Sequence, residues 1–250
     1  MRVGLFGFGR AGKAVATILL ESKESRLCWV IRKSTILQHR SVSEFLGIQS
    51  DEPGLIFPKD EWSPQQLFNE HPVDVLIDFS SAEAILFYGE EAAKREIAIV
   101  SAISEYPTET IELLGKLSRQ TRVLWSPNIT IGINFLMLAA KVLKSIAPYI
   151  DIEIIEEHFK AKKEVSGTAR KIARVLSLPE ESIKTIRVGG IVSRHEILMG
   201  FPYQTLRLIH ESVSREAFGN GALFAAQHLV DKEKGLYHME DLLIPYFNLK

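Results

Sequence analysis

Cysteine is all but missing from this chain: Cys28 stands alone among 250 residues, which excludes an intramolecular disulfide and a cysteine metal cluster. Its neighbours Leu27, Trp29 and Val30 mark it as a buried strand residue. Long apolar runs are missing too. Nothing approaches the roughly 18 residues of a membrane span, and Met1-Arg2-Val3-Gly4 leads into a strand and a glycine turn where a secretory signal would carry its apolar segment. A cytoplasmic protein with no membrane partner is expected. There is no excess of either charge: 30 basic residues face 31 acidic ones, for a formal net charge of −1. That balance gives no electrostatic case for nucleic acid or an anionic lipid surface, so any basic site must be local. Internal repeats and low-complexity segments are absent, and no resident metal is expected.

What is there is 46% hydrophobic and changes texture midway, which predicts two domains. Val3-Gly4-Leu5-Phe6 is a short apolar run that ends in Gly7-Phe8-Gly9-Arg10-Ala11-Gly12. Ala14, Val15, Ile18 and Leu19 then recur at helical spacing. Strand, glycine turn and helix give the GxGxxG pattern its meaning: the first glycine permits the tight turn, the second lets backbone approach a pyrophosphate, and the third allows close helix packing. A dinucleotide is the expected ligand. The next strand, Leu27 to Ile31, ends in Arg32-Lys33-Ser34, where an acidic residue would meet a ribose 2′-hydroxyl; two cations there favour a 2′-phosphate, so NADPH is preferred and NADH remains possible.

Residues 34–72 are broken by Pro53, Pro58, Pro64 and Pro72, and only Gln65 to Asn69 reads as a short helix. Regular alternation resumes with the strand Val73 to Phe79, a helix through Ala84, Leu86 and Ala92, the strand Ile97 to Val100, the helix Glu109 to Gln120 and the strand Val123 to Trp125. Such alternation predicts a parallel, doubly wound sheet of Rossmann type, with ligands at the carboxyl ends of its strands.

Past Trp125 come a helix through Phe135, Leu136 and Val142, then strands at Ile150 to His158, Thr185 to Val188, Arg194 to Met199 and Thr205 to His210. This is an α+β unit with an open mixed sheet. The predicted organisation is a dinucleotide domain over 1–126, to which 218–250 returns, and a substrate and oligomerisation domain over 127–217. Between the first of these strands and a helix starting near Ser166, the loop gathers His158, Lys160, Lys162, Lys163 and a helix N-terminus. Free N–H groups, capped only in part by Ser166 or Thr168, and the cation of Lys162 suit a carboxylate or phosphate, and a small dicarboxylate is the expected guest.

The ordered set of motifs closely resembles the 4-hydroxy-tetrahydrodipicolinate reductase family across nearly the whole chain. It comprises Gly7 to Gly12, Ile77-Asp78-Phe79-Ser80, Pro127-Asn128 with Gly132 and Asn134, Glu153-Ile154-Ile155-Glu156 with His158 and Lys162, Ser166-Gly167-Thr168-Ala169, Arg187-Val188-Gly189 with His195, and Ser214-Arg215 with Phe218, Gly221 and Ala222. The resemblance implies NAD(P)H-dependent reduction of a cyclic imine bearing two carboxylates, by a homotetramer joined through the sheets of its substrate domains.

By position it makes His158 the proton donor and Lys162 its catalytic partner, with Ser166, Gly167 and Thr168 holding a carboxylate and Phe159 beside the substrate. Gly7, Phe8, Gly9, Arg10, Ala11 and Gly12 would take the pyrophosphate and Arg32 the adenosine end. Asp78, Phe79 and Ser80, Ser101, Ala102, Ile103 and Ser104, and Pro127, Asn128 and Ile129 would line the nicotinamide. His195 is expected to support the site from its strand.

Departures are visible. Phe159 replaces a second histidine, Ser101 to Ser104 replace a Gly-Thr-Thr-Gly loop, Ile129 replaces a phenylalanine, a proline before Ser166 is lost, and 178–185 is shortened. Rival readings are another NADPH-linked amino-acid dehydrogenase and a catalytically silent dinucleotide sensor.

Overall fold

A computed structural model describes residues 1–51 and 54–248. The chain forms two compact units, one of residues 1–131 and 215–250, the other of residues 132–214.

The first unit is built on a seven-stranded sheet whose elements are β1 (Arg2–Phe6), α1 (Arg10–Glu21), β2 (Arg26–Arg32), α2 (Val42–Leu46), β3 (Leu55–Pro58), α3 (Pro64–Glu70), β4 (Val75–Asp78), α4 (Ala84–Lys94), β5 (Ala98–Ser101), α5 (Thr108–Leu117) and β6 (Arg122–Trp125). The second unit holds α6 (Ile131–Ile146), whose first residue belongs to the other unit, then β7 (Asp151–His158), α7 (Gly167–Val175), β8 (Ile183–Arg187), β9 (Ser193–Phe201) and β10 (Gln204–Ser212). The chain then adds α8 (Glu216–Leu229), β11 (Gly235–Tyr237) and α9 (Met239–Leu243) to the first unit.

In the first sheet the order is β11-β6-β5-β4-β1-β2-β3, every pairing being parallel. Strands β4 and β5 are buried at every residue, as expected of parallel strands covered on both faces, and this is why they read as unbroken apolar runs. The order reverses between β1 and β4, which opens a crevice at the carboxyl ends of those two strands. Trp29, Phe6, Tyr88 and Phe68 anchor the core, and the Trp29 indole N–H is satisfied by the His71 carbonyl at 2.9 Å.

The stretch 34–72 is more regular than its prolines suggest. Ser41 caps α2 through a bond from the Glu44 N–H, and β3 pairs with β2 as an edge strand ending at Pro58. A proline is tolerated at that edge because its missing N–H leaves no ladder bond broken. Ser63 closes a capping box with Gln66 to start α3. Of the four prolines, Pro53 lies outside the described residues.

The second unit is a four-stranded mixed sheet of order β10-β9-β7-β8, antiparallel except for β7 with β8. Strand β7 alternates strictly: Ile152, Ile154, Glu156 and His158 are buried, whereas Asp151, Glu153, Ile155 and Glu157 are more open. Ile152 and Ile154 join the core beneath α6 and α7 with Ile133, Leu136, Ile172 and Ile197. Period two therefore places Glu156 and His158 on the core side of the sheet, at its end.

Candidate active site

In the first unit the glycine turn shows why each glycine is needed. Gly7 has φ +97°, and a Cβ there would lie 2.6 Å from the Phe79 carbonyl oxygen; one on Gly12 would lie 2.1 Å from the Gly7 oxygen. Gly9 has open space around it and begins α1 with no side-chain cap. The first N–H groups of α1 are thus left for an anion, with room for close approach. These features fit a dinucleotide pyrophosphate. Arg10 is exposed and Ala11 half-buried at that turn. Phe8 is buried, 5.7 Å from the Phe45 ring, with the Lys13 ammonium over both, so it offers its backbone. Arg32 ends β2, and its guanidinium donates to the Ile36 carbonyl at 2.8 Å, folding the following loop.

The other crevice residues are turned inward more than their sequence suggests. Asp78, at the end of β4, is fully buried; its carboxylate accepts from the Ser80 N–H at 2.8 Å, the Ser80 hydroxyl at 2.5 Å and the Tyr88 hydroxyl at 2.8 Å. Burial pushes its carboxyl up to about 6. Ser101 lies 2.7 Å from the Tyr106 hydroxyl, Ile103 belongs to the core, and the Trp125 indole N–H donates to the Ile103 carbonyl at 2.8 Å. Ala102 and Ser104, with the half-buried Phe79 and the exposed Ser80, are the more open side chains at these strand ends. Next to Pro127, the Ser126 hydroxyl ties down the Asn128 carbonyl at 2.7 Å. Ile129 is buried, and its carbonyl would lie 2.1 Å from a Cβ on Gly221 of α8.

In the second unit the loop after β7 is pinned from several sides. The Lys160 N–H donates to the Gly189 carbonyl and the Lys162 N–H to the Phe159 carbonyl, both at 3.1 Å. The Arg187 side chain donates to the Lys162 and Glu164 carbonyls, both at 2.9 Å. Glu156, fully buried, meets the Arg187 guanidinium with both oxygens and also binds His158 Nδ1. Burial pushes the Glu156 carboxyl up, but the bonds from Arg187, His158 and the Ser166 N–H outweigh it and leave it below the usual range. His158 is held below its ordinary value, first by burial and then by Lys162 and Arg187, against the pull of Glu156. Lys162 is also lowered, by burial and by Arg187. Phe159 is exposed.

Helix α7 starts at Gly167, with Ser166 as N-cap residue, yet the Ser166 side chain caps nothing. The expected cap is replaced because the Ser166 hydroxyl lies 2.9 Å from His195 Nε2 and its N–H goes to Glu156 at 3.3 Å. Gly167, exposed, and Thr168, half-buried, then open the helix. Burial pushes His195 down to about 3, so it is neutral at physiological pH, edge-on to His158 at 5.4 Å. The structure therefore joins His158, Ser166 and His195 in one cluster and adds two residues to which sequence reasoning gave no role, Glu156 and Arg187. A buried acid two residues before a histidine on an alternating strand is the signal that points to the first of them.

Residues 1–129 match the family described as "Dihydrodipicolinate reductase, N-terminus", and residues 129–243 match "Dihydrodipicolinate reductase, C-terminus". The chain is 32% identical to a 4-hydroxy-tetrahydrodipicolinate reductase of Caldanaerobacter subterraneus subsp. tengcongensis, covering 94% of each. It is 29% identical to one from Syntrophus aciditrophicus, covering 95% of this chain and 96% of that one. Its fold is similar to that of a dipicolinate-bound dihydrodipicolinate reductase from Paenisporosarcina sp. TG-14, with TM-score 0.80, 20% identity, and coverage of 96% of this chain and 98% of that one. Fold, glycine turn and relatives together define an NAD(P)H-dependent oxidoreductase with a Rossmann-type unit. More narrowly, the chain belongs to the dihydrodipicolinate reductase family.

Proposed function

We propose that this chain reduces 4-hydroxy-tetrahydrodipicolinate to tetrahydrodipicolinate in the diaminopimelate route to lysine, with NADPH the preferred donor. The observation that carries the reading is the buried Glu156–His158 pair beside Lys162 and the start of α7, in a chain of this family. The turn from Gly7 to Gly12 would hold the pyrophosphate and Arg32 the adenosine end, while the strand ends at Asp78-Phe79-Ser80, Ser101 to Ser104 and Pro127-Asn128-Ile129 would line the nicotinamide. Bound there, the cofactor supplies a hydride.

The remaining chemistry belongs to the second unit. Hydride addition to a conjugated imine leaves electron density on the ring nitrogen and the adjacent carbon, and His158 supplies the balancing proton. Lys162 offsets the substrate carboxylates and the developing charge, and the N–H groups opening α7, with Thr168, hold one carboxylate. Because His158 is depressed in the free protein, the two negative charges of the substrate are what raise its proton affinity for the reaction. The same reading places the protein in the cytoplasm as a homotetramer formed through the open faces of its four-stranded sheets.

The test follows NADPH oxidation in a mixture of aspartate semialdehyde, pyruvate and the synthase that condenses them. Turnover that requires the synthase is expected, with His158→Ala lowering kcat by about 10² to 10⁴. NADPH binding without consumption would instead mark a dinucleotide sensor, and full turnover by the His158 variant would favour another dehydrogenase chemistry.

A further inference from the structure

Glu156 is held by four hydrogen bonds from three residues within the second unit. Arg187 Nη2 donates to its Oε1 at 2.6 Å and Nη1 to its Oε2 at 2.9 Å; the Ser166 N–H reaches Oε1 at 3.3 Å, and His158 Nδ1 meets Oε2. A carboxylate so held is an acceptor only. Nδ1 must therefore carry the hydrogen, and Nε2 is left as the ring atom that can gain or lose a proton.

We infer that Glu156, clamped by Arg187, is a positioning residue for the reduction: it locks His158 with its hydrogen on Nδ1 and so makes Nε2 the atom that passes the proton to the substrate. The inference rests on the reading of His158 as proton donor and adds to it a residue, a tautomer and an atom. The local geometry supports more than a core ion pair. Arg187 stands opposite His158 in the parallel register of β7 and β8, and the same guanidinium that grips Glu156 also holds the carbonyls of Lys162 and Glu164. One cation thus fixes both the histidine's partner and the loop carrying Lys162.

The charges around the imidazole are unequal. Glu156 faces it from β7, Lys162 from the following loop, Arg187 from β8 and His195 from β9, with His210 of β10 beside His195. Among these, Glu156 alone favours the imidazolium, while Lys162 and Arg187 oppose it. Removing the Glu156 charge should weaken the hold of His158 on its proton as well as free its ring.

Glu156→Gln is expected to lower kcat about 10- to 100-fold with KM changed by less than about threefold, and to move the alkaline limb of the kcat profile about one pH unit lower. Added to His158→Ala, it should lower kcat by less than about twofold further, since the group it positions is already gone. In the unsubstituted protein, imidazole nitrogen NMR should find His158 with its hydrogen on Nδ1, a readout independent of how the variant folds. Any one of three results overturns the inference: an unchanged kcat and pH profile in Glu156→Gln, fully additive losses in the double variant, or a hydrogen on Nε2 at neutral pH. If His158→Ala itself retains turnover, the donor reading falls together with this one. If His158→Ala is inactive and Glu156→Gln is not, only the role of Glu156 is lost.

Discussion

Asp78 and Glu156 are both fully buried, both on strands with a parallel neighbour, and both supplied with several hydrogen bonds, yet their carboxyls are shifted in opposite directions. Around Asp78 every donor is neutral: the Ser80 N–H, the Ser80 hydroxyl and the Tyr88 hydroxyl. Those bonds soften the cost of burial without cancelling it, and the carboxyl is pushed up to about 6. Around Glu156 the donors include the Arg187 guanidinium and His158, and burial is outweighed. The difference teaches that hydrogen-bond count does not fix the charge of a buried acid; a cation among the donors does. The second unit keeps a carboxylate below its usual range next to His158, whereas the first keeps an acid that takes up a proton just below neutrality.

The most severe way to break this contrast is Arg187→Met, which would leave Glu156 charged in the core with only the Ser166 N–H and His158 as partners and no cation. A loss of about 3 to 5 kcal/mol is expected, read as a lower urea midpoint with unchanged slope. Adding Glu156→Gln should return part of that stability, because the uncompensated charge goes with it. If Arg187→Met unfolds at the parental midpoint, the guanidinium is not what keeps Glu156 ionised.

The next effect belongs to Asp78 and has the opposite pH sense. Its folded value, about 6, lies above the ordinary 3.8, so between those limits the native state holds a proton that the unfolded chain has released. Stability from this group is therefore complete below about pH 4 and is lost as pH rises through 6, a difference of roughly 3 kcal/mol. Asp78→Asn removes the titration. The variant should gain on the parent as pH climbs from 4 to 8 in paired urea titrations, and parallel curves for the two proteins would show that Asp78 does not titrate there.

Much of this arrangement was legible in the sequence because it is local. The turn from Gly7 to Gly12 and the alternation of β7 each lie within one short window, and the structure realises both. What escaped reading depends on contacts between distant segments. Arg187 reaches Glu156 across 31 positions and Ser166 meets His195 across 29, separations at which no spacing rule operates. Strand β3 was hidden because four residues at a sheet edge, closed by Pro58, carry too short a pattern to register. The inward turn of Asp78, Ser101 and Ile103 was hidden for a related reason: a strand end names the residues near a crevice but not which way each side chain faces.

The smallest effect isolates one bond on the Asp78 side of the comparison. Tyr88 is fully buried, its ring stacked on Phe6 at 4.4 Å, and its hydroxyl donates to Asp78 at 2.8 Å. Tyr88→Phe keeps the stacking and deletes the donor, so the change falls on the carboxylate alone. A loss of about 1 kcal/mol is expected near neutrality, as for one net hydrogen bond. Because the Tyr88 bond favours the charged form, the folded Asp78 should then titrate above 6, and the penalty should be larger at pH 8 than at pH 4. A penalty that stays constant with pH would assign the hydroxyl to packing and leave the neutral donors around Asp78 without a hold on its proton.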